Sequence, residues 1–370
     1  MIIDNLYINT NLEEMKQRDL LLKNILKIYV GKADKLPNEL SHEEWGAIFN
    51  IAKKQTILGV TFDVIKGLPK VQLPPKEIKL KWLYFAEKIK QRNIAVNEAI
   101  YELQKKLNDV GLNGCILKGQ GVGLLYPTPE SRQPGDIDVW CNDGRNDIIG
   151  KLKDYKIKNI VIHHADIDIL KGVPVELHFV PSWFYCPFTE RKFRKWYVSE
   201  SDRQFENCND KGFCNPTISF NLVYSIVHIY KHLFDEGIGL RQLMDYYFIL
   251  LHSDARERNE ALGHLSNFKM KRFAGAVMYV MQEVFGLDSK YYICSPSEKY
   301  GKQLLADIMA GGNFGQYNIK NVHGKENVIT RGIRKMKRNL KVVAYYPSEV
   351  LWSPIWKCWH WVWRKRNGYL

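Results

Sequence analysis

Asp136-Ile137-Asp138 is the segment that most narrows what this chain can become. It follows the turn Gln133-Pro134-Gly135 and leads into a short apolar strand, Ile137 to Cys141. Side chains two apart on a strand share a face, so both carboxylates project together while Ile137 and Val139 face a core. Side-by-side acidic oxygens suit Mg²⁺, a hard cation that takes oxygen ligands and is usually shared with substrate phosphates. Two such ions roughly 3.5–4 Å apart can clamp the attacking and leaving oxygens of an in-line phosphoryl transfer. The plainer reading makes Asp136 a turn residue and Asp138 an edge-strand charge. The neighbouring segments weigh against it.

Upstream, Cys115-Ile116-Leu117 reads as a buried strand ending in Lys118-Gly119-Gln120-Gly121, after which residues 121–126 suit a short helix. A strand, a glycine turn and a helix start make a phosphate cradle of bare amides and helix dipole. Lys118 and Arg132 offer a point charge and a fork for a triphosphate. Their plainer roles are a solvated strand end and a brace for the loop over 127–134. Downstream, the run from Val173 to Val180 alternates after Pro174, putting Glu176 and His178 on one face and Leu177 and Phe179 on the other. Glu176 is then a third carboxylate, able to complete a metal site and to accept the proton of an attacking hydroxyl. His178 reads as an orienting or half-buried strand residue; His163-His164 could shuttle a proton or touch substrate, the plainer reading being a structural pair in a hairpin.

This order of elements resembles the nucleotidyltransferase superfamily with the DNA-polymerase-beta-like fold. More narrowly, Leu117-Lys118-Gly119, Arg132, Asp136-Ile137-Asp138 and Glu176-Leu177-His178 resemble an uncharacterised bacterial nucleotidyltransferase family, over about residue 40 to about residue 290. The resemblance implies that Asp136, Asp138 and Glu176 are catalytic and hold Mg²⁺ or Mn²⁺. It also implies an NTP substrate with its phosphates near Gly119. Lys118-Gly119-Gln120 differs from the Gly-Ser or Gly-Gly that many superfamily members carry at this turn. That departure motivates a second reading, a catalytically degenerate nucleotide-binding or scaffold protein of the same fold. Lys118, Gly119, Gln120, Arg132 and Arg241 form the expected nucleotide-binding set. For Arg241 the alternative is an intrahelical ion pair with Asp245, four residues on.

The expected fold class is α+β: a small mixed sheet of four or five strands flanked by N- and C-terminal helical regions. Leu20, Leu21, Leu22, Ile25, Leu26 and Tyr29 mark one helix face. Ser41-His42-Glu43-Glu44 provides a helix cap with an acidic first turn. Pro74-Pro75 precedes a longer helix through Trp82, Phe85, Ile89 and Val96 to Leu107, stopped at Val110-Gly111. A short helix is expected over 146–153, with strands over 157–162 and 167–170. From Thr217 the pattern turns helical, with Leu222, Ile226, Ile229 and Leu233 as one stripe and Thr217 or Ser219 as cap. His228 and His232 have the spacing of a metal pair; packing or substrate contact is the favoured reading. The expected division is a helical region over 1–110, a catalytic sheet over 111–215, a helical domain over 216–325 and a basic Trp-rich segment over 326–370.

A chain of 370 residues with 45% apolar content can bury a large core. No run reaches the roughly 18–20 apolar residues of a membrane span, and the first residues lack signal-peptide order. Seven cysteines without metal-ligand spacing read as buried thiols in a reducing, cytoplasmic setting. Charge is lopsided: the formal net is +14, and residues 331–370 hold ten Lys/Arg against Glu349 alone, with five tryptophans. Such a segment fits RNA stacking, the headgroup layer of a membrane, or a helix packed on the helical region. Gly311-Gly312-Asn313-Phe314-Gly315 reads as a tight turn. The acceptor of the implied transfer, whether sugar or polysaccharide precursor, RNA or protein, stays open.

Overall fold

The computed structural model describes residues 17–209, 212–235, 237–312, 343 and 346–370. The basic run from Arg331 to Lys341 and the last three residues of the expected glycine turn, 313–315, lie outside them. Helix α1 covers 17–29. Helix α2 (His42–Lys54) begins at Ser41, whose hydroxyl accepts from the Glu44 amide while the Glu44 carboxylate accepts from the Ser41 amide. This reciprocal cap satisfies two otherwise orphaned donors. Helix α3 (Leu58–Gly67) and the 34-residue α4 (Lys76–Asp109) follow, α4 starting directly after Pro75. The Trp82 ring of α4 meets Trp45 and Phe49 edge-on, and its indole N–H donates to the Leu58 carbonyl and Thr61 hydroxyl.

Five strands form one mixed sheet: β1 (Gly114–Leu117), β2 (Ile137–Cys141), β3 (Lys156–Lys158), β4 (His164–Asp168) and β5 (Val175–His178), in the order β1-β2-β5-β4-β3. Only β2 and β5 run parallel; the other neighbours are antiparallel. Short helices α5 (Gly119–Gly123) and α6 (Arg145–Lys151) follow β1 and β2. The expected strand over 157–162 is cut short. Asn159 has φ +48°, and its side chain bonds Asp166 across the β3–β4 turn, so the apolar residues beyond it belong to the connection.

The sheet has two different faces. Ile116, Val139, Ile167 and Leu177 meet Val96, Ile100, Leu103 and Leu107 from the second half of α4 in a compact cluster. The opposite face carries Leu117, Asp138, Trp140, Glu176 and His178 toward helices α7 (Pro187–Glu206) and α8 (Ile218–Asp235). Trp140 is surrounded there by Tyr197, Phe205 and Phe220. Thr217 caps α8 through its hydroxyl to the Phe220 amide.

Helices α9 (Leu240–Leu251), α10 (Ala255–Asn267), α11 (Lys271–Val280) and α12 (Glu298–Gly311) complete the helical layer. One buried cluster runs from Leu22 through these helices to Val350, so early and late helices share a core. The last described helix, α13 (Pro347–Arg366), lies against the loop before α7. There the buried Glu349 carboxylate accepts from the amides of Tyr185 and Cys186.

The cysteines depart from the expected set of buried thiols. Cys115, Cys141 and Cys186 are buried, but Cys358 is exposed, and Cys208 is bonded to Cys214. The chain turns back between 208 and 214 to pair beside β1, where the Ile116 amide donates to the Cys214 carbonyl. That turn brings the two sulfurs together. Among the described residues, no helix is long and apolar enough to cross a membrane.

Candidate active site

The parallel pairing of β2 with β5 sets Asp138 directly opposite Glu176. Both project from the face that looks toward α8. Asp136 stands just before the first residue of β2. The donor atoms of Asp138, Glu176 and His178 all lie within 4.8 Å of one another. On the other side of β5, Glu176 is paired with Asp166 of β4, and His164, Asp166 and Glu176 form a second such group. Asp166 was not singled out from the sequence, although the alternation His164-Ala165-Asp166-Ile167 carried the signal.

Charge in the site is partly balanced. The Lys118 ammonium lies 2.8 Å from Asp138 Oδ1, and His178 Nε2 lies 2.9 Å from the same oxygen and 3.4 Å from Glu176. Burial works against ionised Asp138, but Lys118 and His178 outweigh it and hold the carboxyl well below its ordinary range. Burial likewise opposes charge on Glu176, where the His178 contact prevails and lowers the pKa. His178 itself is raised, because Asp138 and Glu176 overcome the effect of burial. At Asp136 the favourable charge of Lys118 is outweighed. The negative charge of Asp138, then burial, pushes it up to about 6.

The turn that delivers Lys118 is unusual. Lys118 has φ +51° and ψ −140°, a region that glycine normally occupies, and Gly119 follows at φ +39°. A non-glycine residue there costs roughly 1–3 kcal/mol and persists only where the surroundings impose it. Here the ion pair to Asp138 is the imposing contact. Burial opposes the ammonium, but Asp138 keeps the Lys118 pKa above its ordinary value.

The other expected nucleotide-binding residues build the frame around this centre. Gln120 donates to the side-chain oxygens of Asn93 and Asn97 on α4, and Asn93 in turn donates to the carbonyls of Glu130 and Arg132. Arg132 is buried and grips Asp245 of α9 through Nε and Nη2 at 2.7 and 2.8 Å. Tyr126 donates to the same carboxylate. Asp245 is therefore engaged by the loop, and Arg241 turns to the Gln133 carbonyl, 2.9 Å away. Arg132 Nη1 and Arg241 Nε are buried with no hydrogen-bond partner among the described residues. Asn93 and Asn97 give no local sequence signal, since their partners are far away in the chain, and the helical spacing of Asp245 from Arg241 points to a partner other than Arg132, the one it takes.

The histidines sort by position. His163 is buried against the Trp183 ring, with burial then His164 holding it neutral. His228 and His232 share a hydrogen bond between their Nε2 atoms, 2.8 Å apart. Burial, then the charge of Lys118, holds the His228 pKa well below its ordinary value.

Acids from two parallel neighbours stand beside a glycine turn on a small mixed sheet wrapped in helices, an arrangement consistent with a nucleotidyltransferase core. A family model described as "Uncharacterised nucleotidyltransferase" matches residues 41–286, and the chain belongs to that family. No curated relative matches it.

Proposed function

We propose that this protein transfers a nucleoside monophosphate from an NTP to an acceptor hydroxyl, with release of pyrophosphate and dependence on Mg²⁺ or Mn²⁺. The observation that carries this reading is the register Asp138 opposite Glu176, with Asp136 destabilised as an anion by its neighbour. Three crowded carboxylates with one nearby ammonium suit a divalent cation, which relieves the repulsion that Lys118 offsets only in part. Asp136, Asp138 and Glu176 would hold the metal, which when bound supplies charge neutralisation at the phosphates and aligns the reacting oxygens.

The chain's own groups do the rest. Glu176 is half-buried and held below the ordinary carboxylate range, so at neutral pH it is ionised and able to take the acceptor's proton. His178, bonded to both Asp138 and Glu176, fixes their relative orientation. Lys118 and the Gly119 turn border the place for the β- and γ-phosphates. The unpartnered N–H groups of Arg132 and Arg241 give that side of the site donors for phosphate oxygen, while Gln120 steadies the turn from behind. We place the catalytic unit at 111–215, between helical regions over 1–110 and 216–325, and the reaction in the cytoplasm. The acceptor is a sugar or polysaccharide precursor, an RNA end or a protein hydroxyl.

The second reading, a degenerate nucleotide-binding scaffold, is favoured by one feature: Lys118 already occupies Asp138 Oδ1. Thermal shift with each NTP, with and without Mg²⁺, separates the two, because a scaffold shows no metal-dependent nucleotide stabilisation. Incubation with α-labelled NTPs and cell extract identifies the labelled acceptor. Asp138→Asn should abolish labelling while leaving the fold intact, at a lower melting temperature because Lys118 loses its partner; unchanged labelling would remove the proposal.

A further inference from the structure

Helix α13 has two apolar faces, and the fold uses only one of them. Toward the protein it presents Glu349, Trp352, Trp356, His360 and Trp363. Glu349 is bound to the amides of Tyr185 and Cys186, Trp356 packs on Trp183 and Tyr185, and His360 accepts from the Ile162 amide. Arg145 of α6 lies over the Trp363 ring. These contacts fix the rotation of the helix about its axis.

The opposite face is therefore held outward. It carries Leu351, Ile355, Cys358 and Val362, spaced at one-turn intervals, with Trp359 and Trp361 on its two sides. Leu351 is 65% exposed, Ile355 59%, Trp361 54% and Trp359 48%. A helix that packs on one side only is ordinarily polar on the other. Here the outward stripe is apolar, and Lys357, Lys365 and Arg366 are exposed around it. The helix's one acid, Glu349, is on the buried side. An outward surface that is apolar along its middle, ringed by indoles and cations and without a carboxylate complements one chemistry in particular. That chemistry is a bilayer whose surface is anionic and whose headgroup layer accepts tryptophan.

We propose that α13 lies in the plane of an anionic lipid bilayer, its Leu351–Val362 stripe entering the headgroup boundary and Lys365 and Arg366 meeting lipid phosphates. The helix does not cross the membrane. The inference is independent of the reaction assigned to the acidic centre, because none of the outward residues of α13 belongs to that centre.

The test uses the full chain in sedimentation with vesicles of phosphatidylcholine alone or with added phosphatidylglycerol. The unaltered protein should pellet with the anionic vesicles, weakly or not at all with neutral ones, and less as salt rises, because exposed charges are screened. Ile355→Glu combined with Val362→Glu alters only exposed positions, so melting should be unchanged while the fraction bound falls at least tenfold. In a Cys294→Ser background, an environment-sensitive fluorophore on exposed Cys358 should shift to the blue with anionic vesicles. Absence of sedimentation with every composition, or equal sedimentation of the double variant, overturns the proposal. So does a concentration-dependent dimer, or RNA binding, that the double variant loses while vesicle binding is absent; the stripe would then serve a second copy or an RNA. NTP-dependent thermal stabilisation read on the same samples reports the acidic centre separately.

Discussion

The clamp between Arg132 and Asp245 offers a sharp energetic test, because it joins the loop before β2 to α9 through two charged groups that are largely out of water. The side chains are 4% and 13% exposed, and the fork contacts both carboxylate oxygens. Removing one partner of such a buried pair leaves an uncompensated charge and typically costs about 3–5 kcal/mol. Asp245→Asn also weakens the acceptor of the Tyr126 hydroxyl, so the upper part of that range is expected. With an unfolding entropy of about 2.1 cal/mol/K per residue, a chain of 370 residues loses about 1.3 °C of Tm per kcal/mol, or about 4–6 °C here. The assay is denaturant unfolding of Asp245→Asn, Arg132→Met, and Arg132→Met combined with Asp245→Leu. The double apolar variant should recover much of the loss, since two apolar groups leave no orphaned charge. Additive losses in the double variant, or a cost below about 1 kcal/mol for Asp245→Asn, would refute the argument that the pair is coupled and buried. The same double variant also separates the two roles of Arg132: if it folds well and still shows NTP-dependent stabilisation, the guanidinium is a brace rather than a phosphate ligand.

Further outcomes follow from other contacts. Lys118→Met removes the ammonium from Asp138 and should tighten Mn²⁺ binding several-fold by calorimetry; equal affinity would show that the ammonium does not compete with the cation. Gly59 lies so close to the Arg132 loop that an added Cβ would sit 2.2 Å from the Ser131 carbonyl oxygen. Gly59→Ala should therefore cost about 1–3 kcal/mol in denaturant unfolding, and a neutral result would contradict that approach. Burial pushes Glu190 up from 4.5 to about 7 despite a hydrogen bond from the Phe184 amide. Its protonated form is the one the native state prefers, so its contribution is full below about 4.5 and is lost as pH rises through about 7. Glu190→Gln should match the parent near pH 4.5 and exceed it in Tm at pH 8; equal melting at both would exclude this group as a source of pH dependence.

Much of the fold is readable because its signals are local. Ser41 with Glu44, Pro74-Pro75 and Thr217 each mark a helix start through residues within a turn of it, and the structure begins helices there. The alternation around Asp138 and Glu176 likewise gives both strands and the faces of their side chains. What sequence left open depends on partners distant in the chain. Gln120 beside a glycine reads as a phosphate ligand until α4 brings Asn93 and Asn97 to it. Arg241 and Asp245 read as a helical pair until the loop carrying Arg132 reaches the same carboxylate. The β3–β4 turn is hidden for a different reason: Asn159 adopts a left-handed conformation within a segment whose isoleucines and valine suggest one strand.

The β2–β5 pairing has one more consequence. Parallel neighbours cannot be joined by a tight hairpin, so the chain leaves the sheet centre after Cys141, builds α6, β3 and β4, and returns at Val175. The two inner strands hold their alignment through their own ladder, so the excursion is an outer leaf hung on a fixed hinge line. Changes in length or sequence at its β3–β4 tip would leave undisturbed the alignment of the acids that face each other at the centre.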